Sequence, residues 1–351
     1  MLDSNEIRFE KRGRAGVITL AKQEALNAVN DRMLSGVSHH LDEWEYDASI
    51  ECVIIKATPG RAFSAGGDIR HLYDCGVVGD YDFDFFAREY ALNARIHAYP
   101  KPYIALIDGI AMGGGVGVSF HGSHRVAGDK IAFSMPEVGI GFFPDVGGSY
   151  LLSRTPGHLG VYLGLTGSRL KQQDCFASGL ATHACRSEDL AALEDELCRS
   201  DAVDDTLDAF CLEPRTGANH EQLPWIDKVF NAPSVEAIVD RLNKQRLGEG
   251  DEAQWASKTL EGLLSKSPLS LKVAFEQIKR GKDLSMADCM RMEYRILRRI
   301  LPRTDFYEGI RAAIIDKDAK PSWDPASLDD VDDLTVGSFF DDLGEHELVL
   351  S

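Results

Sequence analysis

"KPYIALIDGIAMGGGVG", residues 101–117, decides how this chain is read. Its first half, 101–109, is a short apolar run that reads as a strand. The glycines at 113, 114, 115 and 117 then strip the side chains away, so backbone N–H groups can approach a ligand closely. The stretch also opens a helix, whose first N–H groups lack partners within it and whose dipole favours negative charge. A second Gly-rich loop, "FSAGGD" (63–68), repeats the pattern.

Outward from that stretch, strands alternate with helices. "GVITLA" (16–21) reads as a strand, followed by a turn through Lys22–Glu24 and a helix from about Asp31 to Asp47. "ECVIIKA" (51–57) and "HRVAGDKIAFSM" (124–135) read as further strands, and the later half of residues 81–100 has helical spacing. Such alternation predicts an α/β layer fold. From about Ser168 the strand signals fade and helical periods take over, in 187–198, 234–245, 251–267 and 285–301. We therefore expect a core over 1–200 that holds the active site, a helical region over 201–335, and an acidic tail over 336–351. The run 329–346 is expected to stay solvated.

The chain has 351 residues, 44% of them hydrophobic and 27% charged, as in ordinary globular proteins. No run approaches the roughly 18 apolar residues of a membrane span, and the first residues lack a signal-peptide core. Seven cysteines at irregular spacings point to free thiols in a reducing compartment, and a cytoplasmic setting is expected. A formal charge of −18 argues against nucleic acid or anionic lipid as partners. Any anionic ligand needs a locally basic pocket.

Two convergent N–H donors would stabilise an oxyanion, an arrangement often worth about 3 kcal/mol per donor. Tight helix–sheet packing is the plainer explanation of either loop alone. No G-x-G-x-x-G or G-x-x-x-x-G-K-[ST] occurs, so nucleotide phosphate cradles of those kinds are excluded. G-x-S-x-G is absent as well, which leaves carboxylates rather than a serine nucleophile. In "MPEVGIGFFPDVGGSY" (135–150), Glu137 and Asp145 stand among apolar residues, Gly and Pro. Desolvation there would raise a carboxyl pKa and make a better base. For Asp145 a helix N-cap is the competing reading, and for Glu137 a solvent-facing loop.

Several long stretches carry a family likeness: "ITLAKQEALNAV" (18–29), "RAFSAGGDIR" (61–70), residues 101–117 and "MPEVGIGFFPDVGGSYLLSR" (135–154). They resemble the crotonase (enoyl-CoA hydratase/isomerase) superfamily. Residues 111–127, 165–183, 267–296 and 305–328 are similar to its branch of 3-hydroxyisobutyryl-CoA hydrolases. The resemblance implies a spiral of ββα units with a mainly helical C-terminal region. It also implies thioester hydrolysis of 3-hydroxyisobutyryl-CoA, or of 3-hydroxypropionyl-CoA, in valine breakdown. Hydration or isomerisation of an enoyl-CoA and non-catalytic acyl-CoA binding are the alternatives. No cofactor is implied, because coenzyme A is part of the substrate. The partner is a small-molecule acyl-CoA, and a homo-oligomer is left open.

Carried over by position, the resemblance puts the oxyanion hole on the amides of Gly67 and Gly114 and the principal acid/base at Glu137. Hydratases of the superfamily carry a second glutamate where this chain has Gly117, and glycine where it has Asp145. Glu89 and Phe142 fall near the substrate, as do Ala65, Gly66 and Asp68, with Ala65 flanking the adenine and pantetheine. Lys22 stands where the branch usually has arginine on a phosphate, and a lysine lacks the planar fork. Arg70 and the Lys317 region are further phosphate candidates. His121 and His124 lie three apart, but no third metal ligand stands out, so a structural role is expected. Arg291, Arg295, Arg298 and Arg299 beside Glu293 read as a salt-bridged helix face.

Overall fold

The computed structural model describes residues 5–212 and 222–350. It divides into two compact units, each drawn from three segments: 1–68, 88–133 and 169–218 in the first, and 69–87, 134–168 and 219–351 in the second. The expected break near residue 200 does not separate them, because the chain passes from one to the other five times.

The first unit holds the strands Ile7–Arg12 (β1), Ala15–Leu20 (β2), Cys52–Ala57 (β3), Ala62–Ser64 (β4), Tyr103–Ile107 (β5), Ile110–Ala111 (β6), His124–Ala127 (β7), Ala132–Phe133 (β8) and His183–Ala184 (β9). One sheet runs in the order β1-β2-β3-β5-β7-β9 and a smaller one in the order β4-β6-β8. Among the named strands, the β1–β2 pair is antiparallel and the other pairs are parallel. Strands buried on both faces need continuous apolar runs, and β2 and β5 are buried at every position. Each turn of the spiral contributes one strand to the large sheet and the next to the small one. Gly109 makes one such transition between β5 and β6: its φ is +96°, and a Cβ would sit 2.8 Å from the carbonyl oxygen of Arg61. The reading of 124–135 as one strand fails for the same reason, since β7 and β8 belong to different sheets.

Helix Asp31–Tyr46 starts on Asn30, whose side chain accepts from the Met33 amide. Its buried stripe, Met33, Leu34, Val37, Leu41 and Trp44, recurs at three- and four-residue spacing.

The second unit is helical. Its longer elements are Val235–Gln245, Asp251–Leu264, Pro268–Gly281 and Met286–Ile300. The acidic tail is solvated only in part: most of its acids are exposed, but several of its apolar residues are not. It forms helix Asp333–Ser338 and buries Val331, Val336, Phe339 and Phe340. Lys272 donates to the Val331 carbonyl, and Arg295 pairs with Asp342 and Glu347, while the other acids of the run are exposed.

Candidate active site

In the first unit, two Gly-rich loops follow β4 and β6. The chain leaves β4 through Ala65, whose amide donates to the Leu26 carbonyl, and through Gly66, whose φ of +118° favours glycine. Gly66 accepts from the Val29 amide, and Gly67 bridges Val29. Asn27 braces this turn from behind: it is buried, and its side-chain amide donates to the carbonyls of Ala62 and Phe63. Ser64 donates back to the Asn27 carbonyl. A Cβ on Gly67 would meet no heavy atom within 4 Å, so glycine there leaves space that the protein itself does not fill.

After β6, Gly113 turns with φ +44° and caps the four-residue helix Gly114–Gly117. The amides of Gly115, Val116 and Gly117 bond back to Met112 and Gly113. That of Gly114, at the helix start, has no partner inside the helix. Glu89 is buried, and its Oε1 would lie 2.7 Å from a Cβ on Gly114. The structure thus brings Glu89 and Gly114 together. Gly117 is buried within the short helix and places no carboxylate there. Asp68 is half-buried beside Gly67 in sequence.

The second unit carries the two acids. Glu137 opens the 3-10 turn Glu137–Ile140 and is only 7% exposed, so the solvent-facing reading fails. Gly141 ends the turn at φ +70°, where a Cβ would lie 2.3 Å from the Asp305 carbonyl oxygen. Phe142 accordingly packs against Phe306, with ring centroids 4.9 Å apart, and faces Phe86 at 6.2 Å. An apolar wall therefore stands beside the residues that follow Glu137.

Asp145 is 5% exposed. It is not a helix N-cap: helix Gly148–Leu152 is capped by Gly147 without a side-chain bond. The turn from Asp145 runs through Val146 at φ +47° and Gly147 at φ +87°. A β-branched residue in the left-handed region is rare and costs about 1–3 kcal/mol.

What holds the turn is Glu293, from the middle of helix Met286–Ile300. Its carboxyl accepts from the amides of Gly147 at 2.8 Å and Ser149 at 2.9 Å, and from the Ser149 hydroxyl. Burial pushes this carboxyl up to about 8, against the three hydrogen bonds, and the charge of Asp145 adds to the rise.

The neighbouring cations turn elsewhere. Arg291 pairs with Asp288, Arg295 with Glu347, Arg298 stacks on Phe83, and Arg299 meets backbone carbonyls. The expected salt-bridged face is present only in part, at Arg291 and Arg295, and without Glu293. In sequence, the only sign of its role is an acid falling within a stripe of Cys289, Met290, Ile296 and Leu297.

Of the phosphate candidates, Lys22 is engaged by Glu6 at 2.9 Å, while Arg70 and Lys317 are exposed. His124 begins β7, and it bonds Asp204 and Ser123. Among the described residues no group of three metal-ligating side chains is found.

A model of the enoyl-CoA hydratase/isomerase family matches residues 15–340. The mitochondrial 3-hydroxyisobutyryl-CoA hydrolase of Xenopus tropicalis is 45% identical over 98% of this chain and 91% of its own. The one from Homo sapiens is 38% identical, with 98% and 91% covered. Among solved structures, a carnitinyl-CoA dehydratase from Mycobacterium thermoresistibile superposes with a TM-score of 0.92 at 35% identity, covering 99% of both chains. An enoyl-CoA hydratase from Rhodobacter sphaeroides 2.4.1 gives 0.89 at 37%, covering 98% of this chain and 100% of the other. These relatives bear out the spiral ββα fold. The hydrolases are named mitochondrial, which overturns the cytoplasmic setting expected from cysteine usage and composition. Thiol counts report a reducing compartment, and more than one compartment is reducing.

Proposed function

The chain belongs to the enoyl-CoA hydratase/isomerase family, and from that premise we propose that it hydrolyses the thioester of 3-hydroxyisobutyryl-CoA to the free acid and coenzyme A. The observation that carries the reading is the pair of buried acids, Glu137 and Asp145, on one short stretch of a chain similar to hydrolases of that name over 98% of its length.

The amides of Gly67 and Gly114 polarise the thioester carbonyl, and charge developing on its oxygen draws on both donors. Glu137 acts either as a base, taking a proton from the water that attacks the carbonyl, or as a nucleophile giving a mixed anhydride that water opens. Either way the C–S bond breaks and coenzyme A leaves as a thiolate that takes up a proton. Asp145 receives the 3-hydroxyl of the acyl group. A buried acceptor left unmatched by a plain acyl-CoA costs binding, so the pocket discriminates by that hydroxyl. Glu89, beside Gly114, adds a polar group next to that amide, and Phe142 is the apolar residue expected along the acyl group.

The structural relatives named as a dehydratase and a hydratase favour a second reading, addition or loss of water at an enoyl-CoA. Glycine at 117 and aspartate at 145 weigh against it. Free thiol released from 3-hydroxyisobutyryl-CoA, with crotonyl-CoA as control, separates the two. Thiol release is expected, with kcat/KM lowered about a hundredfold or more in Glu137→Gln and Asp145→Gly. Loss of enoyl absorbance without thiol release would establish the second reading instead.

A further inference from the structure

Resting on the hydrolase reading, we propose that Glu293 is a positioning residue that fixes the Asp145 turn and thereby sets selection for a 3-hydroxylated acyl group. Glu293 is fully buried, and every hydrogen bond found for it goes to one turn, through the amides of Gly147 and Ser149 and the Ser149 hydroxyl. No cation pairs with it among the described residues, so it does not serve to tie its own helix to a neighbour by charge. Burying an acid there is costly, and an apolar side chain of similar volume would pack the same space. The compensating gain must lie in what the acid holds.

What it holds is a conformation the local sequence resists. Val146 and Gly147 follow one another in the left-handed region, and Val146 is β-branched. A second anchor grips the other end: the buried Gln277 donates to the Pro144 carbonyl at 2.6 Å. Helix Pro268–Gly281 also approaches the Ser149 backbone so closely that a Cβ on Gly281 would lie 2.4 Å from its oxygen. Asp145 therefore stands between two anchors, one at the carbonyl before it and one at the amides after it. The backbone that carries it is thus held from Glu293, across 146 residues of sequence. Displacing a positioned group by about 1 Å costs on the order of a hundredfold in rate.

The test is Glu293→Gln, which keeps the shape but offers an NH2 where one of the donors needs an acceptor. Hydrolysis of 3-hydroxyisobutyryl-CoA and of isobutyryl-CoA is measured in both proteins. The expected result is a fall of about 10- to 100-fold in kcat/KM for the hydroxylated substrate and a much smaller change for the plain one. Ser149→Ala removes one donor and leaves the two amide bonds, so it keeps the question open to refutation even if the glutamine variant does not fold; a smaller loss in the same ratio is expected. On the Asp145→Gly background, Glu293→Gln should lower the ratio no further. Equal losses for both substrates, an unchanged ratio in Ser149→Ala, or additive losses on that background would overturn the proposal and leave Glu293 a packing residue. Absence of thiol release by the unaltered protein would instead remove the hydrolase reading, and the inference with it.

Discussion

Glycines 67 and 114 were legible as backbone-exposing positions because a missing side chain is a local property, readable wherever a strand ends in a run of glycine. Structure separates the two. Alanine at 67 meets nothing within 4 Å, whereas at 114 it meets the carboxyl of Glu89 and the Val29 side chain. Gly67→Ala is therefore expected to leave the melting temperature unchanged while weakening acyl-CoA binding, and Gly114→Ala to lower both, as followed by calorimetry and by KM. Glu293 is the opposite case, a residue whose sequence neighbourhood suggests an ion pair and whose surroundings are amides and apolar groups. Its carboxyl is raised from 4.5 to about 8 in the folded protein. Between those values the folded state holds a proton that the unfolded state has released, so stability must fall as pH rises through that window. At about 1.4 kcal/mol per pH unit this amounts to a few kcal/mol. Denaturant midpoints of the protein and of Glu293→Gln, compared from about pH 5 to pH 8, should shift in the variant's favour as pH rises; parallel curves would show that the group does not titrate there.

At the scale of elements, strands and the long helices followed from periodicity. β2, β3 and β5 lie where apolar runs place them, and helix Asp31–Tyr46 begins at the asparagine that caps it. The transitions between sheets did not follow, because the turn at Gly128–Lys130 was read through as one strand while β7 and β8 hydrogen-bond to different partners. The burial of apolar residues in the acidic tail was not legible, because charge dominates its composition and those residues are too sparse for a periodic signal. Phe339 is nevertheless fully buried, and Arg280 lies over the ring of Phe340 at 4.1 Å. Phe339→Ala should cost about 3–5 kcal/mol, measured as a loss of denaturant midpoint. A change within about 0.5 kcal/mol would restore the solvated tail.

For the whole molecule, a net charge of −18 means that an anionic acyl-CoA is repelled at long range and held only by short-range contacts. Raising ionic strength from about 0.02 to 0.2 M shortens the screening length severalfold. Hydrolytic kcat/KM should then hold or rise, and a steep fall would show an attractive field at the site. The alternation of two compact units along the chain could not be read from periodicity, which reports each segment's own face but not which other segments it meets. The sequence by itself determined the local matters: strands and helices, glycine loops that bare their amides, and two acids in an apolar stretch. Only the tertiary structure decided that Glu89 lies against Gly114, that Asp145 is not a cap, and that Glu293 holds its turn. The reason is physical: a buried carboxyl is assigned its partners by packing between segments far apart in sequence, and no local pattern encodes a hydrogen bond spanning 146 residues.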